Sequence, residues 1–216
     1  MRYIVVVFLF AVLQLQSQTT FNLGWLPKVN LSYKLNEKTK WVNSIETREV
    51  VYEDTFRFTH SLVDVATIFS IKTNMHQSLN LGYIVRIEEE ELTHRLFQQY
   101  NFVQSFDGLK LGHRIGLEQH FPEKSNTFYR TRYRITLQKS LAGEKVDVKE
   151  FYLKLGNEYV YNFTSEDLEI RFSPYLGYKV SPKDKVEVGF DFRSSNFIDA
   201  VNEHSLWFRT TWYISL

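Results

Sequence analysis

From Trp25 to the end of the chain, apolar and polar residues alternate with a period of two, and one of the two alternate sets is free of charge through most of that length. A helix would repeat its apolar residues every three to four positions, so the pattern restricts the chain to strands with two distinct faces. In the second half the uncharged set contains Leu109, Leu111, Ile115 and Leu117, then Tyr129, Tyr133, Ile135 and Leu137. It continues through Phe151, Leu153, Leu155 and Tyr159, then Ile170, Phe172, Leu176 and Tyr178. Val186, Val188, Phe190 and Phe192 follow, and Leu206, Phe208, Trp212 and Ile214 end it. Its polar members, such as His113, Gln119 and Asn157, carry no fixed charge.

The opposite set holds Arg114 and Glu118; Arg130, Arg132 and Arg134; Lys154 and Glu158; Glu169 and Arg171; Glu187, Asp191 and Arg193; and Arg209. Earlier in the chain, Leu79, Leu81, Tyr83, Val85 and Ile87 oppose Ser78, Asn80, Gly82, Arg86 and Glu88. A weaker split sets Glu46 and Arg48 against Trp41, Ile45 and Thr47, and the segment through Asp64 is the least regular.

Candidate strands run over residues 26–35, 41–52, 56–72, 76–88, 92–105, 109–121, 127–139, 149–161, 168–180, 185–195 and 204–216. The separators carry turn chemistry, notably Asn36-Glu37-Lys38, Asp107-Gly108 and Ser181-Pro182-Lys183-Asp184. That list is odd in number. Thr19–Trp25 could add a strand, so the expectation is ten to twelve strands, with twelve preferred, in a single antiparallel up-and-down β-barrel.

Alternation alone allows either face to point inward. A soluble, lipocalin-like barrel would enclose the apolar set, whereas a transmembrane barrel would expose it to lipid. Gly82, Gly112, Gly116, Gly156, Gly177 and Gly189 all fall on the charged side. Small residues there suit a narrow, crowded lumen. A core holding every Phe, Tyr and Trp of the other set would be overfilled for about ten strands. The transmembrane orientation is therefore expected, with the charges forming a lumen network that largely satisfies itself, since unpaired buried charge is costly. Trp25, Trp41, Tyr161 and Trp212 sit near strand ends, as interfacial aromatics do.

The first residues read as an export signal: Arg2 supplies the positive charge, and Tyr3 to Leu13 form an apolar run too short for a helical span. Ser17 suits a cleavage site, which divides the chain into a signal at 1–17 and a barrel at 18–216. With no cysteine, disulfides and a bacterial lipid anchor are both excluded. An outer-membrane location follows as an expectation. Short turns at Asn36–Thr39, Asp107-Gly108 and Ser181–Asp184 would lie on the periplasmic side, with Glu88–Glu91, Pro122–Asn126, Asn162–Asp167 and Asn196–Glu203 outside. Ser140–Val148 is long for that scheme.

Three stretches carry a resemblance: Thr93–Tyr100, Leu111–Glu118 and Phe128–Arg134. They resemble successive strands of an uncharacterised family of bacterial outer-membrane barrels, catalogued as a domain of unknown function. Its Trp-led first strand is matched by Trp25 and its acidic residue in a mid-late strand by Glu158. The resemblance implies fold and location but no activity. The chain departs from common barrel practice by finishing on Leu216 rather than an aromatic residue.

For chemistry the sequence is sparing. The net charge of +1 removes an electrostatic case for nucleic acid. Histidines 60, 76, 94, 113, 120 and 204 show no metal-ligand spacing, and no cofactor is expected. His113, on the apolar face, is the one residue that hints at a lipid-modifying enzyme in the barrel wall, and no serine stands out as its partner. The leading expectation is a non-enzymatic barrel that is structural or that passes or binds small solutes. Its partners would be outer-membrane lipid and the barrel insertion machinery.

Overall fold

The computed structural model describes residues 20–198 and 202–216; the expected signal segment lies outside them. Eleven strands form one closed barrel: β1 (Thr20–Lys34), β2 (Thr39–Glu53), β3 (Thr55–Lys72), β4 (Gln77–Glu88), β5 (Leu92–Phe106) and β6 (Leu109–Pro122), then β7 (Phe128–Ser140), β8 (Phe151–Asn162), β9 (Asp167–Lys179), β10 (Asp184–Ser195) and β11 (Glu203–Ser215). Each strand pairs antiparallel with its sequence neighbour, and β1 closes against β11 in parallel.

The preferred count of twelve is thus corrected to eleven. Thr20–Trp25 is no separate strand, because no turn interrupts it before Leu26 and it runs straight into β1. The odd number forces the parallel seam: strands that alternate in direction leave the first and eleventh pointing the same way. It follows that β1 starts at the rim opposite the one where β11 ends. The register at the seam is unbroken from Thr20↔Glu203 to Ser32↔Ser215.

The two rims have different turns. At the first rim, where β1 begins, Asp54 makes the β2–β3 turn in the left-handed region, and Glu89–Glu91, Glu123–Thr127, Phe163–Glu166 and the β10–β11 connection follow. At the second rim, Asn36 Oδ1 accepts from the backbone N–H groups of Lys38 and Thr39 at 2.9 and 2.8 Å. Ser181 Oγ likewise accepts from Lys183 and Asp184 at 3.1 and 3.0 Å. These side chains replace the missing ladder partner and fix the register of the following strand. Leu141–Glu150, the longest connection at this rim, is tied to its neighbours by Gly108 N–H donating to the Glu144 carbonyl (3.1 Å) and Lys179 Nζ to the Val146 carbonyl (3.1 Å).

Orientation decides everything about what such a barrel can do. Phe172, Phe190 and Phe208 are 46%, 49% and 40% exposed, and Leu81, Ile115, Leu117 and Leu153 stand outward beside them. Glu158, Glu187 and Asp191 are 4%, 2% and 1% exposed. The apolar face is outside and the ionic face encloses the axis, which rules out the lipocalin-like arrangement.

Two inward glycines explain themselves by close approach. Directly opposite Gly82 the ring of Phe97 lies where a Cβ would be, and Tyr152 lies over Gly177 in the same way. Expected to make room for charges, the inward glycines at these two positions instead seat aromatic rings flat against the wall.

Candidate functional site

Every charge assigned to the lumen by alternation points inward. β6 to β9 carry one continuous ion-pair chain. Arg132 lies 2.8 Å from Glu118 and 3.5 Å from Glu158, while Arg134 and Arg171 reach Glu158 at 3.0 and 3.3 Å. Arg171 also pairs with Glu169. One carboxylate, Glu158, therefore serves three guanidinium groups drawn from β7 and β9.

A second chain laces the seam. Asp191 accepts from Arg193 (2.9 Å) and Arg209 (3.1 Å), and Arg209 on β11 reaches across β1 to Glu46 on β2 (2.6 Å), where Lys28 joins at 3.3 Å. The parallel seam thus has ionic bonds spanning it in addition to its backbone ladder. Arg86 forms a two-pronged pair with Asp64, at 2.9 and 2.8 Å.

Toward the second rim the chemistry changes. Glu187 takes hydrogen bonds from the hydroxyls of Tyr152 (2.8 Å) and Tyr213 (3.1 Å) and pairs with Lys154. Lys154 Nζ sits 4.9 Å from the centre of the Tyr175 ring. Here the polar atoms of the side chains find each other.

Between the chains and the first rim is a cavity of about 450 Å³. Its lining reaches the rim at Asn22, Ser195 and Glu203 and goes no farther toward the second rim than Ser44, Ile68, Arg114 and Arg134; Tyr152, Lys154, Glu187 and Tyr213 are not part of it. The lumen is a cup, open to one rim.

The site contains residues that alternation did not single out as lumen charges, namely Lys28, Asp64 and Arg95, together with the ring of Trp207. Arg95 could have been found by carrying the face assignment from β4 across to β5: Val85 is outward and pairs with His94, so Arg95 must turn in. Glu46 and Arg48, legible only in a weak split, also line it.

Direct cross-strand register does not decide the pairing. Arg130 stands directly opposite Glu118, yet Glu118 bonds Arg132 and His120 instead, and Arg130 stacks its guanidinium over Phe128 at 4.9 Å. In a twisted sheet, diagonal neighbours are reachable for long side chains, and here the diagonal wins.

On the outer face, Trp25 and Tyr161 lie in the half nearer the first rim, and Trp41 and Trp212 in the half nearer the second. Trp25 and Trp41 donate their indole N–H groups to Thr210 (3.2 Å) and Thr67 (2.8 Å), so each polar edge is satisfied by the adjacent strand. His113 is also outward. Its Nδ1 is 2.8 Å from the Tyr133 hydroxyl and its ring stacks between Phe102 and Tyr133. Among the described residues no serine hydrogen-bonds to it, so the nucleophile–base pair of a hydrolase is not assembled there.

A closed, single-layer barrel with an apolar exterior and a charged, partly filled interior is the class of protein these features define. The family model described as "Protein of unknown function (DUF2490)" matches residues 23–190, and the chain belongs to that family. No curated protein matches the chain in sequence. Among solved structures it is similar to an anion-selective porin from Comamonas acidovorans, at 9% identity and a TM-score of 0.42, over 73% of this chain and 49% of that one. The chain thus matches about half the length of that porin.

Proposed function

We propose that the protein is an outer-membrane barrel, exported by a cleaved N-terminal signal, whose lumen binds a small polar solute from the first-rim side and has no enzymatic activity. The observation that carries this reading is the division of faces. A strand of twelve residues tilted by about 40° covers roughly 30 Å, enough for an apolar band of about 25 Å. An exterior of phenylalanine, leucine and tyrosine is costly in water and suited to hydrocarbon. Satisfied indole groups near both rims fit the headgroup region.

Binding is favoured over free passage because the lining ends short of the second rim, where Tyr152 and Tyr213 close on the buried Glu187. Outer-membrane lipid and the insertion machinery are the partners this reading requires; nucleic acid is not among them. Fractionation of cells producing the full chain, followed by electrophoresis with and without boiling, tests it. The protein should sediment with outer membranes and run at a different mobility unboiled. Recovery in the soluble periplasm with no heat-dependent shift would refute the reading. In planar bilayers the cup should give no steady conductance of porin size. His113→Ala should leave any background phospholipid hydrolysis unchanged.

A further inference from the structure

The ion pairs of the cup do not balance. Its lining holds ten arginines and Lys28 against six carboxylates, and Asp191, inward and paired with Arg193 and Arg209, makes seven. Six of those seven carboxylates hold seven of the cations, and Glu203 at the rim has no ion-pair partner among the described residues. Arg48, Arg95, Arg114 and Arg130 have no carboxylate partner among the described residues, and only Arg114 has a substitute, Asn101 Oδ1 at 2.7 Å.

The other three share a further feature: the Nε of each is buried and has no hydrogen-bond acceptor. Arg95 is only 6% exposed, and it lines the cavity. Across β6, Arg95 pairs with His120, which pairs with Phe128, two residues from Arg130 on the same inward face. Arg48 enters from β2 and is held by its stack on Trp207, 5.1 Å from the ring centre. A buried guanidinium with an unfilled donor is destabilising on its own, and several around one cavity repel each other. A closed wall retains such a set most readily where something anionic fills the centre.

We propose that the cup is a binding site for a small oxyanion, with Arg95 and Arg130 as its principal donors and Arg48 closing it from the opposite wall. A guanidinium offers parallel N–H groups at the spacing of two oxygens on phosphate, sulfate or carboxylate, which lysine cannot do. A metal cation is disfavoured by the same charge excess. The inference rests on the outer-membrane, solute-binding reading above and adds the class of the solute.

The test uses the full chain, folded in detergent and verified by its heat-dependent mobility. Inorganic phosphate, sulfate and succinate are titrated calorimetrically in a low-salt, oxyanion-free buffer, and the urea midpoint is measured with and without each. At least one should bind and raise the midpoint, since a ligand held only by the folded state stabilises it. Arg95→Gln and Arg130→Gln should each weaken that binding by about tenfold or more, as expected for loss of a charge-assisted bond. Arg95→Lys should recover part of it.

A second readout separates binding from a purely structural role. Without anion, Arg95→Gln should unfold at the same or a higher urea concentration than the parent, because it removes an uncompensated charge. A lower midpoint for Arg95→Gln, accompanied by unchanged anion affinity in Arg130→Gln, would overturn the proposal. So would heat-modifiable parent protein that binds none of the three anions, a result that leaves the membrane reading standing. Protein that is soluble and never heat-modifiable would instead remove the reading beneath it.

Discussion

Glu158 and Glu187 are both buried carboxylates on the axis of the same barrel, yet their surroundings differ. Glu187, toward the second rim, has one lysine and two tyrosine hydroxyls, so charge and hydrogen bonds close locally. Glu158, toward the first rim, is shared by Arg132, Arg134 and Arg171, and the lining around it holds more cations than carboxylates. A self-satisfied cluster is a plug, whereas an unbalanced one retains an affinity. The lumen combines both, stacked along one axis, and this makes it a cup.

Substitutions at the two carboxylates should separate the halves. Glu158→Ala is expected to have the largest effect, about 3 kcal/mol of unfolding free energy from urea titration, because three guanidinium groups lose a shared counter-charge and Arg134 is left with none. Glu187→Ala should cost less, roughly 2–3 kcal/mol, with one cation and two hydroxyls left over. The joint replacement Lys154→Met with Glu187→Leu should come close to neutral, as apolar side chains of similar size can stand in for a closed ion pair. If the pair replacement proved as damaging as Glu158→Ala, the view of the second half as a local plug would fail.

Gly177→Val sharpens the same comparison through packing. Its side chain would occupy the space of the Tyr152 ring and push that hydroxyl from Glu187, for a loss of about 1–3 kcal/mol with no change at the cup. The smallest expected effect lies at the first rim, where Glu89 and Glu90 are exposed in the β4–β5 turn. Neutralising both to glutamine should speed anion entry at low salt by a few-fold and do nothing to stability beyond about 0.5 kcal/mol; stopped-flow traces at two salt concentrations would check it.

How much of this was readable in the sequence depends on the strand. In β4, and from β6 onward, the two faces differ so sharply that residues such as Phe190 and Asp191 declare their sides by period alone. In β3 the inward set includes Leu62, Ala66 and Ile68, so both faces look apolar and the period carries little contrast. The parity of the barrel was hidden for a related reason: Thr20–Trp25 has strand character, and only three-dimensional continuity shows that it belongs to β1. Alternation fixes on which side an arginine lies, but not which carboxylate it reaches. Arg130 illustrates this, since its direct cross-strand partner Glu118 is taken by Arg132. The cup exists because of such diagonal choices, which no one-dimensional pattern encodes.

The account's central claim is that the uncharged face meets hydrocarbon. Because the chain has no cysteine, single cysteines can be placed at Phe190 and Phe208 outside and at Arg193 inside, each labelled with a bimane fluorophore in protein reconstituted into vesicles. Lipids brominated along their chains should quench the labels at 190 and 208 strongly and the label at 193 hardly at all. Quenching at 190 and 208 by aqueous iodide, with none from the brominated lipid, would contradict it.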